Sequence, residues 1–323
     1  MFEDEGAVNL ENVYLKKDLL GIRGLTPEEI CFILAEAAEM REKIDNNEKT
    51  SCLLENISVA TLFYENSTRT KLSFTKAAKY LGAKVTDLGI STSSVNKGES
   101  LLDTGKNLEA FGVDVFIIRH GFTGAAEYLA KNVSATVING GDGINEHPTQ
   151  ALLDFFTMQR EFSSFRGLNA AILGDINHSR VARSNLFGLT ELGANVKLIA
   201  PSTLVSKDFE NLGSVKVSYD IADIKGADVV MCLRMQRERQ SFIPLPDLEE
   251  YTDMFGITKE VIEKYAPNAL IMHPGPVNRG VELSADTINM PNSVIYEQAK
   301  NGVAVRMALL KILTENLKRG AKE

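Results

Sequence analysis

The sequence predicts an α/β protein made of two doubly wound parallel-sheet domains, with an active site between them. Short apolar runs rich in β-branched residues recur along the chain, and segments with helical spacing separate most of them. Strands that alternate with helices are typical of parallel sheets covered by helices on both faces. The chain of 323 residues is also too long for one small core, and it suits two domains of about 150 residues each.

The predicted strands are apolar runs of a few residues bounded by polar or turn-forming residues. In chain order they are Ser58–Phe63, Val113–Ile118, Ala135–Ile138, Ala170–Leu173, Val196–Ile199, Asp228–Leu233 and Ala269–Met272. Apolar residues at helical spacing run from Phe74 to Leu81, and Gly82 follows as a stop signal, so we predict a helix over Thr68–Leu81.

The domain division is predicted near the Gly/Asp-rich stretch Asn139–Asn145. Residues 1–147 then form the first domain and residues 148–292 form the second. A C-terminal helix within residues 293–323 is expected to pack back on the first domain.

Composition excludes several classes of function. The net charge of −8 argues against nucleic-acid binding, and no apolar run approaches the roughly 20 residues that span a bilayer. The acidic start MFEDEG differs from a signal peptide. The three cysteines include no CxxC pair, which argues against a disulfide framework or a zinc site. We therefore expect a cytoplasmic protein with no membrane or nucleic-acid partner and no metal.

The first polar cluster lies directly between a predicted strand and a predicted helix, at Glu65–Thr70. In open parallel sheets, ligands bind beyond the carboxyl ends of the strands. Ser67 suits the N-cap position, and the free N–H groups of the helix start, the hydroxyls and Arg69 would together bind an anion such as phosphate. The alternative is an ordinary Ser/Thr helix cap with a solvated Arg69.

Two further clusters end strands of the same predicted domain. Arg119 and His120 follow the strand that ends at Ile118, and a solvated surface Arg is the alternative there. In the run Asn145–Gln150, Pro148 suits the first turn of a helix. His147 would then lie at the helix start, whose positive dipole end favours a neutral imidazole. A structural hydrogen bond is the alternative role for this His.

The second predicted domain repeats this placement. Asp175, His178 and Arg180 follow one strand, the run LRMQRER follows another, and His273-Pro-Gly-Pro follows a third. The Pro-rich turn cannot continue a strand or a helix, so its carbonyl groups remain available as acceptors. Each cluster is weak by itself, but several clusters in one class of position favour a shared anion site.

These stretches resemble the signature motifs of the aspartate and ornithine carbamoyltransferase family. The similar segments are FYENSTRTKLSF, the Arg119–His120 pair, HPTQALLDFF, LRMQRER and HPGPVNRGVEL. The resemblance covers roughly residues 10–315. The Ser-Thr-Arg-Thr and His-Pro-Thr-Gln motifs are shared by both kinds of enzyme, whereas Arg-Met-Gln and His-Pro-Gly-Pro resemble those of the aspartate enzymes. Asn66 departs from the Pro or Ala that the family often has there.

The resemblance implies a role for each matching residue. It places the phosphate of carbamoyl phosphate on Ser67, Thr68, Arg69 and Thr70, and its carbonyl oxygen on Arg119, His147 and Thr70. Gln150 and the carbonyls of Pro274 and Gly275 would orient the carbamoyl NH2 group. Arg180, Arg234 and Gln236 would bind the carboxylates of L-aspartate. Ser93 and Lys97 would come from an adjacent subunit, and Lys97 would also contact aspartate. Glu65 would pair with Arg180 and Arg239 on domain closure.

The resemblance further implies a homotrimer with shared active sites, a regulatory chain as a candidate partner, and no cofactor. A nucleotide-cofactor dehydrogenase is a different class of enzyme, but no GxGxxG follows a strand and no GxxxxGK[ST] occurs. A non-catalytic anion-binding homologue would be expected to lack Arg119 or His147, and both are present. An ornithine carbamoyltransferase is the nearest alternative.

Overall fold

The computed structural model describes residues 16–48, 52–89, 98–236 and 247–320 of the chain. The chain divides into two compact units. Unit 1 comprises Met1–Phe156 and Ala299–Glu323, and unit 2 comprises Thr157–Gln298.

Unit 1 contains a parallel sheet of four strands in the order β2-β1-β3-β4. The strands are β1 (Ser58–Phe63), β2 (Lys84–Leu88), β3 (Val115–His120) and β4 (Thr136–Asp142). Its helices are α1 (Pro27–Asp45), α2 (Thr68–Tyr80), α3 (Leu101–Ala110), α4 (Ala125–Ala130), the first part of α5 (Pro148–Gln159) and most of α10 (Ile295–Gly320). The sheet core includes Ala60, Leu62, Phe116, Ile118 and Val137, all nearly inaccessible to solvent.

Unit 2 contains a parallel sheet of five strands in the order β7-β6-β5-β8-β9. The strands are β5 (Asn169–Leu173), β6 (Asn195–Ile199), β7 (Val215–Ser218), β8 (Val229–Cys232) and β9 (Leu270–Met272). The helices that begin and end within this unit are α6 (Arg180–Glu191), α7 (Leu248–Phe255), α8 (Lys259–Tyr265) and α9 (Ala285–Ile288). The central strand β5 pairs with β6 on one side and β8 on the other.

Most helices begin where a short polar side chain caps the first turn. The Thr26 hydroxyl accepts a hydrogen bond from the Glu29 N–H at 3.2 Å, and the Glu29 carboxylate accepts one from the Thr26 N–H at 2.9 Å, which completes a capping box at α1. The side chains of Ser100 and Ser179 cap α3 and α6 by accepting the N–H groups of Asp103 and Ala182, without the reciprocal bond. Such caps satisfy N–H groups that have no partner within the helix.

The predicted fold class is confirmed, and the predicted helix at Thr68–Leu81 is observed as α2. Two strands were missed by the sequence prediction, β2 and β7. Both lie at the edge of their sheet and both carry exposed polar residues. Since only one neighbour pairs with an edge strand, its sequence need not be continuously apolar.

The division between the units falls within α5 and within α10. The predicted boundary after residue 147, and the predicted site between the domains, stay predictions. The Gly/Asp-rich stretch after Asn139 is the buried end of β4. Most of the C-terminal helix belongs to unit 1, where Lys311 pairs with Glu36 of α1 at 2.6 Å. In the part of the chain that the structure describes, no helix is long and apolar enough to cross a membrane.

Candidate active site

The carboxyl ends of β1, β3 and β4 meet at one edge of the unit 1 sheet. Phe63 is in register with Arg119, and His120 is in register with Asp142. Parallel strands carry all their following loops at the same edge. The loop before α2, the end of β3 and the loop before α5 are therefore neighbours, although they are far apart in the sequence.

The start of α2 differs from the capped helices described above. Ser67 occupies the N-cap position with extended backbone, φ −156° and ψ 100°, but among the described residues its side chain makes no capping hydrogen bond. Thr68 and Arg69 are exposed, and Thr70 is buried. The first turn of α2 thus lacks the usual cap from the Ser67 side chain, which agrees with an anion site better than with an ordinary helix cap.

Arg119 lies at the end of β3 with its guanidinium held by two groups of unit 1. Its Nη1 donates to the Gly140 carbonyl at 3.2 Å, and its Nε lies 3.4 Å from the Glu65 carboxylate. The side chain is 15% exposed, so this Arg is not a solvated surface residue. Glu65 thus pairs with Arg119. Its predicted pairing with Arg180 and Arg239 stays a prediction, because Arg180 belongs to unit 2 and Arg239 lies outside the described residues.

Asp142 fixes the loop that carries His147. This buried carboxylate accepts hydrogen bonds from the Asn139 side chain at 2.8 Å, the Gly124 N–H at 2.8 Å and the Glu146 N–H at 3.2 Å. The Glu146 carboxylate in turn accepts from the Ile22 N–H at 2.6 Å. Each buried carboxylate is thereby solvated by protein donors, and the backbone just before α5 has a defined path.

His147 lies at the N-terminus of α5, as the sequence predicts. Its carbonyl accepts the helix-starting hydrogen bonds of the Gln150 and Ala151 N–H groups, and the residue is 4% exposed. Gln150 is also buried, and its Nε2 donates to the Asp154 carboxylate at 2.9 Å, one turn further along α5.

In unit 2, the loops after β5 and β8 are joined by Asp175. This fully buried carboxylate accepts from His178 Nδ1 at 2.8 Å and from the Gln236 N–H at 3.3 Å. Arg234 Nη2 lies 3.5 Å from Gln236 Oε1. Arg180, the first residue of α6, is 3% exposed. Because β5 and β8 are neighbouring strands, Arg180, Arg234 and Gln236 follow the same edge of the unit 2 sheet.

The His273-Pro-Gly-Pro turn after β9 is held from behind by Glu282. His273 Nδ1 accepts from the Gly275 N–H at 2.7 Å, so its Nε2 carries the proton that faces Glu282 Oε1 at 3.1 Å. Glu282 also accepts from the Asn278 N–H at 2.7 Å. Among the described residues, nothing donates to the Pro274 or Gly275 carbonyl. Their predicted contact with a ligand stays a prediction.

Comparison with known proteins matches both units to one family. Residues 17–160 match the model for the carbamoyl-P binding domain of aspartate/ornithine carbamoyltransferase. Residues 166–313 match the model for the Asp/Orn binding domain of the same family. The chain belongs to the aspartate/ornithine carbamoyltransferase family. The prediction of this family, and of an enzyme that transfers carbamoyl groups, is thereby confirmed.

Individual relatives of this carbamoyltransferase include bacterial and eukaryotic proteins. The aspartate carbamoyltransferase catalytic subunit of Caldanaerobacter subterraneus is 55% identical over 302 residues, covering 93% of this chain and 99% of the relative. The Trypanosoma cruzi aspartate transcarbamoylase in complex with carbamoyl phosphate and aspartate has a TM-score of 0.84 at 29% identity, covering 93% and 97% of the two chains. Ornithine carbamoyltransferase from Pyrococcus furiosus also matches, with a TM-score of 0.81 at 29% identity and 91% and 95% coverage. The fold is therefore common to aspartate and ornithine enzymes.

The structure brings together the predicted residues of each unit of this carbamoyltransferase. Unit 1 collects Ser67–Thr70, Arg119, His147 and Gln150 at one sheet edge, and unit 2 collects its three carboxylate-binding candidates. Ser93, Lys97 and Arg239 lie outside the described residues. Sequence reasoning missed Asp142, Asp154 and Glu282, which hold the site from behind. An acidic residue shortly after a predicted strand was a signal for Asp142, whereas Asp154 and Glu282 lie far from any strand end.

His120 adds a titrating group beside this edge. Its ring lies between Tyr64 and Phe122, with ring centroids 4.7 and 5.3 Å away, and its Nδ1 accepts from the Phe122 N–H. Burial lowers the pKa of His120, and the carboxylates of Glu65 and Asp142 oppose that shift without cancelling it. Folding therefore favours the neutral imidazole.

We predict that His120 makes the protein less stable in mild acid. The unfolded chain, with a His pKa of about 6.5, binds more protons than the folded chain just below that pH, so stability falls as pH is lowered through this window. His120→Asn keeps an acceptor for the Phe122 N–H but does not titrate. Urea unfolding at pH 7.5 and 5.5 should show a smaller loss of stability for His120→Asn than for the parent protein. Equal losses would contradict the prediction.

Proposed function

We propose that this chain transfers the carbamoyl group of carbamoyl phosphate to the amine of L-aspartate, giving N-carbamoyl-L-aspartate and phosphate. This reaction is an early step of de novo pyrimidine biosynthesis. The observation that carries the proposal is the convergence of the uncapped start of α2, Arg119 and His147 at one sheet edge of an acidic protein. A cationic and N–H-rich edge in a protein of net charge −8 is suited to an anionic ligand.

In the proposed mechanism, the first turn of α2 binds the phosphate. Its N–H groups and positive dipole end meet the phosphate oxygens, together with the hydroxyls of Ser67, Thr68 and Thr70 and the guanidinium of Arg69. The carbonyl oxygen of the carbamoyl group then lies against Arg119, His147 and Thr70. A neutral His147 at a helix start is a hydrogen-bond donor aimed at that oxygen.

The aspartate amine attacks the carbamoyl carbon, and a C–N bond forms as negative charge develops on the carbonyl oxygen. Arg119 and His147 stabilise that charge, because they are already oriented before the reaction. The tetrahedral intermediate collapses, the C–O bond to phosphate breaks, and the phosphate leaves with the electron pair and takes the amine proton. Gln150 and the carbonyls of Pro274 and Gly275 hold the carbamoyl NH2 group. No covalent enzyme intermediate is required.

Arg180, Arg234 and Gln236 are proposed to bind the two carboxylates of aspartate. Guanidinium groups match carboxylates with two parallel N–H donors. The Asp175 carboxylate fixes the Gln236 backbone, so the loop after β8 is ordered before the ligand arrives. Asp175 and its bond to the loop after β8 would keep these groups at one edge of the sheet.

Transfer to aspartate rather than to ornithine is favoured by the motifs Arg-Met-Gln and His-Pro-Gly-Pro and by the relatives at about 50% identity, which are named for aspartate. The direct test supplies carbamoyl phosphate with either amino acid and measures the ureido product. Product with aspartate alone is expected. Product with ornithine alone would assign the chain to the other branch, and no product with either would favour a non-catalytic homologue.

Arg69→Ala should lower turnover by about 100- to 1000-fold, the usual cost of losing one contact to transition-state charge. Arg69 is exposed at the helix start, so the variant should unfold at nearly the parent temperature. Lys71→Ala is the matched control, since Lys71 lies on the same helix but pairs with Asp87 at 2.6 Å, and its turnover should stay near normal. Near-normal turnover of Arg69→Ala would remove Arg69 from the site.

Arg234→Ala and Gln236→Ala should impair the use of aspartate much more than the binding of carbamoyl phosphate. Buried polar partners left unpaired cost about 2 kcal/mol or more, or roughly a 30-fold rise in the KM for aspartate. The dissociation constant for carbamoyl phosphate, measured without aspartate, should change little. An equal loss for both ligands would contradict the division into two binding regions.

We further propose a cytoplasmic homotrimer with active sites shared between subunits, and a regulatory chain as its candidate partner. Ser93 and Lys97 of the polar segment 89–99 match residues that the family inserts from a neighbouring subunit. A closed ring of three identical contacts is a permitted assembly. The relatives' name "catalytic subunit" is consistent with a further chain.

Shared sites predict complementation between inactive variants. Lys97→Ala and His147→Ala chains are mixed, dissociated and reassociated, and activity is measured against each variant treated alone. Hybrid trimers would contain some sites with both substitutions and some with neither, so activity should reappear. Mixing would restore nothing if each site came from one chain. A monomeric mass by light scattering in an active sample would contradict the trimer directly.

A further inference from the structure

A buried guanidinium lies between the two helices that begin at the candidate site of unit 1. Arg306 of α10 is 3% exposed. Its Nη1 donates to Ser73 Oγ of α2 at 2.9 Å and to the Gly302 carbonyl at 3.1 Å, and its Nη2 donates to Thr149 Oγ1 of α5 at 3.4 Å. The guanidinium carbon also lies 4.9 Å from the centre of the Phe74 ring. One side chain thus connects α2 and α5 within a turn or two of their starts.

The surrounding residues are shaped to hold this guanidinium. A Cβ atom on Gly302 would lie 2.6 Å from Arg306 Nη1 and 3.0 Å from Leu153 Cδ2. Any larger residue at position 302 would therefore displace the cation. A glycine in the interior of a helix is unfavourable, so its presence in α10 is explained by the space that Arg306 needs.

The counter-charge of Arg306 is Asp154, which is fully buried on α5. Burial lowers the pKa of Arg306 to about 10, and the Asp154 carboxylate opposes that shift. Arg306 therefore remains a cation at neutral pH. The guanidinium of Arg306 and the carboxyl group of Asp154 thus interact electrostatically within unit 1.

The hydrogen bond to Asp154 fixes which way the Gln150 side chain is turned. A carboxylate only accepts hydrogen bonds, so the Gln150 group facing it at 2.9 Å must be the NH2. The carbonyl oxygen Oε1 of Gln150 then points away from Asp154. Gln150 lies three residues after His147, at the start of α5. Gln150 accordingly offers an acceptor, not a donor, to a bound molecule.

We propose that Asp154 and Arg306 are positioning residues that make the site selective for an amide NH2 on the transferred carbon, by fixing Gln150 Oε1 as the acceptor for that NH2. The inference rests on the proposed function and deepens it. A ligand with a methyl group in place of the NH2 cannot donate to Oε1, whereas a Gln150 free to rotate would tolerate either group. Neither Asp154 nor Arg306 contacts the ligand.

Two stable ligands isolate this interaction. Phosphonoacetamide and acetonylphosphonate share the phosphonate and the carbonyl group and differ only in NH2 against CH3. Their dissociation constants are measured by calorimetry on the full chain. The parent protein should bind phosphonoacetamide about 10-fold more tightly, the usual effect of one hydrogen bond between neutral groups.

In Asp154→Asn, the dissociation constants of the two ligands should differ by no more than about 2-fold. The main change should be weaker binding of phosphonoacetamide, since Asn can face Gln150 with either end of its amide. If Asp154 had a purely structural role, its substitution would weaken the binding of both ligands equally and leave the ratio of their dissociation constants unchanged. Ser73→Ala is the matched control, because it removes a partner of Arg306 while keeping the Asp154–Gln150 bond, and it should keep the ratio. On a Gln150→Met background, Asp154→Asn should not change the ratio further.

If Asp154→Asn does not fold, Asp154→Leu combined with Arg306→Met replaces both charges by apolar groups of similar size and leaves no unpaired buried charge. This double variant should also lose the preference for phosphonoacetamide over acetonylphosphonate. A ratio that survives in the folded variant would overturn the inference, as would a parent protein that binds both ligands equally. Carbamoyl transfer to aspartate by the parent protein is measured alongside, so that a failure of the proposed function is distinguished from a failure of this inference.

Discussion

The parallel pairing of β1, β3 and β4 is the constraint on which the candidate site of unit 1 depends. Parallel strands bring their following loops to one edge, so residues from three separate stretches of the sequence become neighbours. The register fixes this arrangement, with Phe63 opposite Arg119 and His120 opposite Asp142. A shift of β3 by one residue would turn Arg119 to the other face of the sheet. The proposed contacts to phosphate and to the carbonyl oxygen therefore follow from strand order and register.

Carboxylates hold the groups that we propose to contact the ligand, or the residues next to those groups. The pairs are Glu65 with Arg119, Asp154 with Gln150, Asp175 with the Gln236 backbone, and Glu282 with His273. Each carboxylate has its own hydrogen-bond donors, and most are buried, so the charges are held within the protein rather than in water. Groups fixed in this way need little reorganisation when charge develops on a substrate, which is the source of electrostatic catalysis. The negative net charge of the protein is thus compatible with a cationic site.

The fold class, the central strands and the polar clusters at the strand ends could be predicted from the sequence, because these depend on local hydrophobic patterns and on where strands end. Edge strands such as Lys84–Leu88 were missed because their exposed polar residues obscure the pattern. The supporting carboxylates were missed for another reason. Arg306 contacts Thr149, which lies 157 residues earlier in the sequence, and the role of Asp154 becomes visible only when α5 and α10 are packed together. Likewise, Ser67 has the residue type and the position of a helix cap, and only the structure shows that its side chain does not cap α2.

The first turn of α2 is proposed to bind phosphate, and a crystal structure with inorganic phosphate is the measurement that tests this site. Phosphate oxygens are expected within about 3 Å of the first N–H groups of α2, with the Arg69 guanidinium and the Ser67 hydroxyl also in hydrogen-bond contact. Ser67 should keep its extended, non-capping conformation. Phosphate bound elsewhere, with the Ser67 hydroxyl turned to cap the helix and Arg69 directed to solvent, would contradict it.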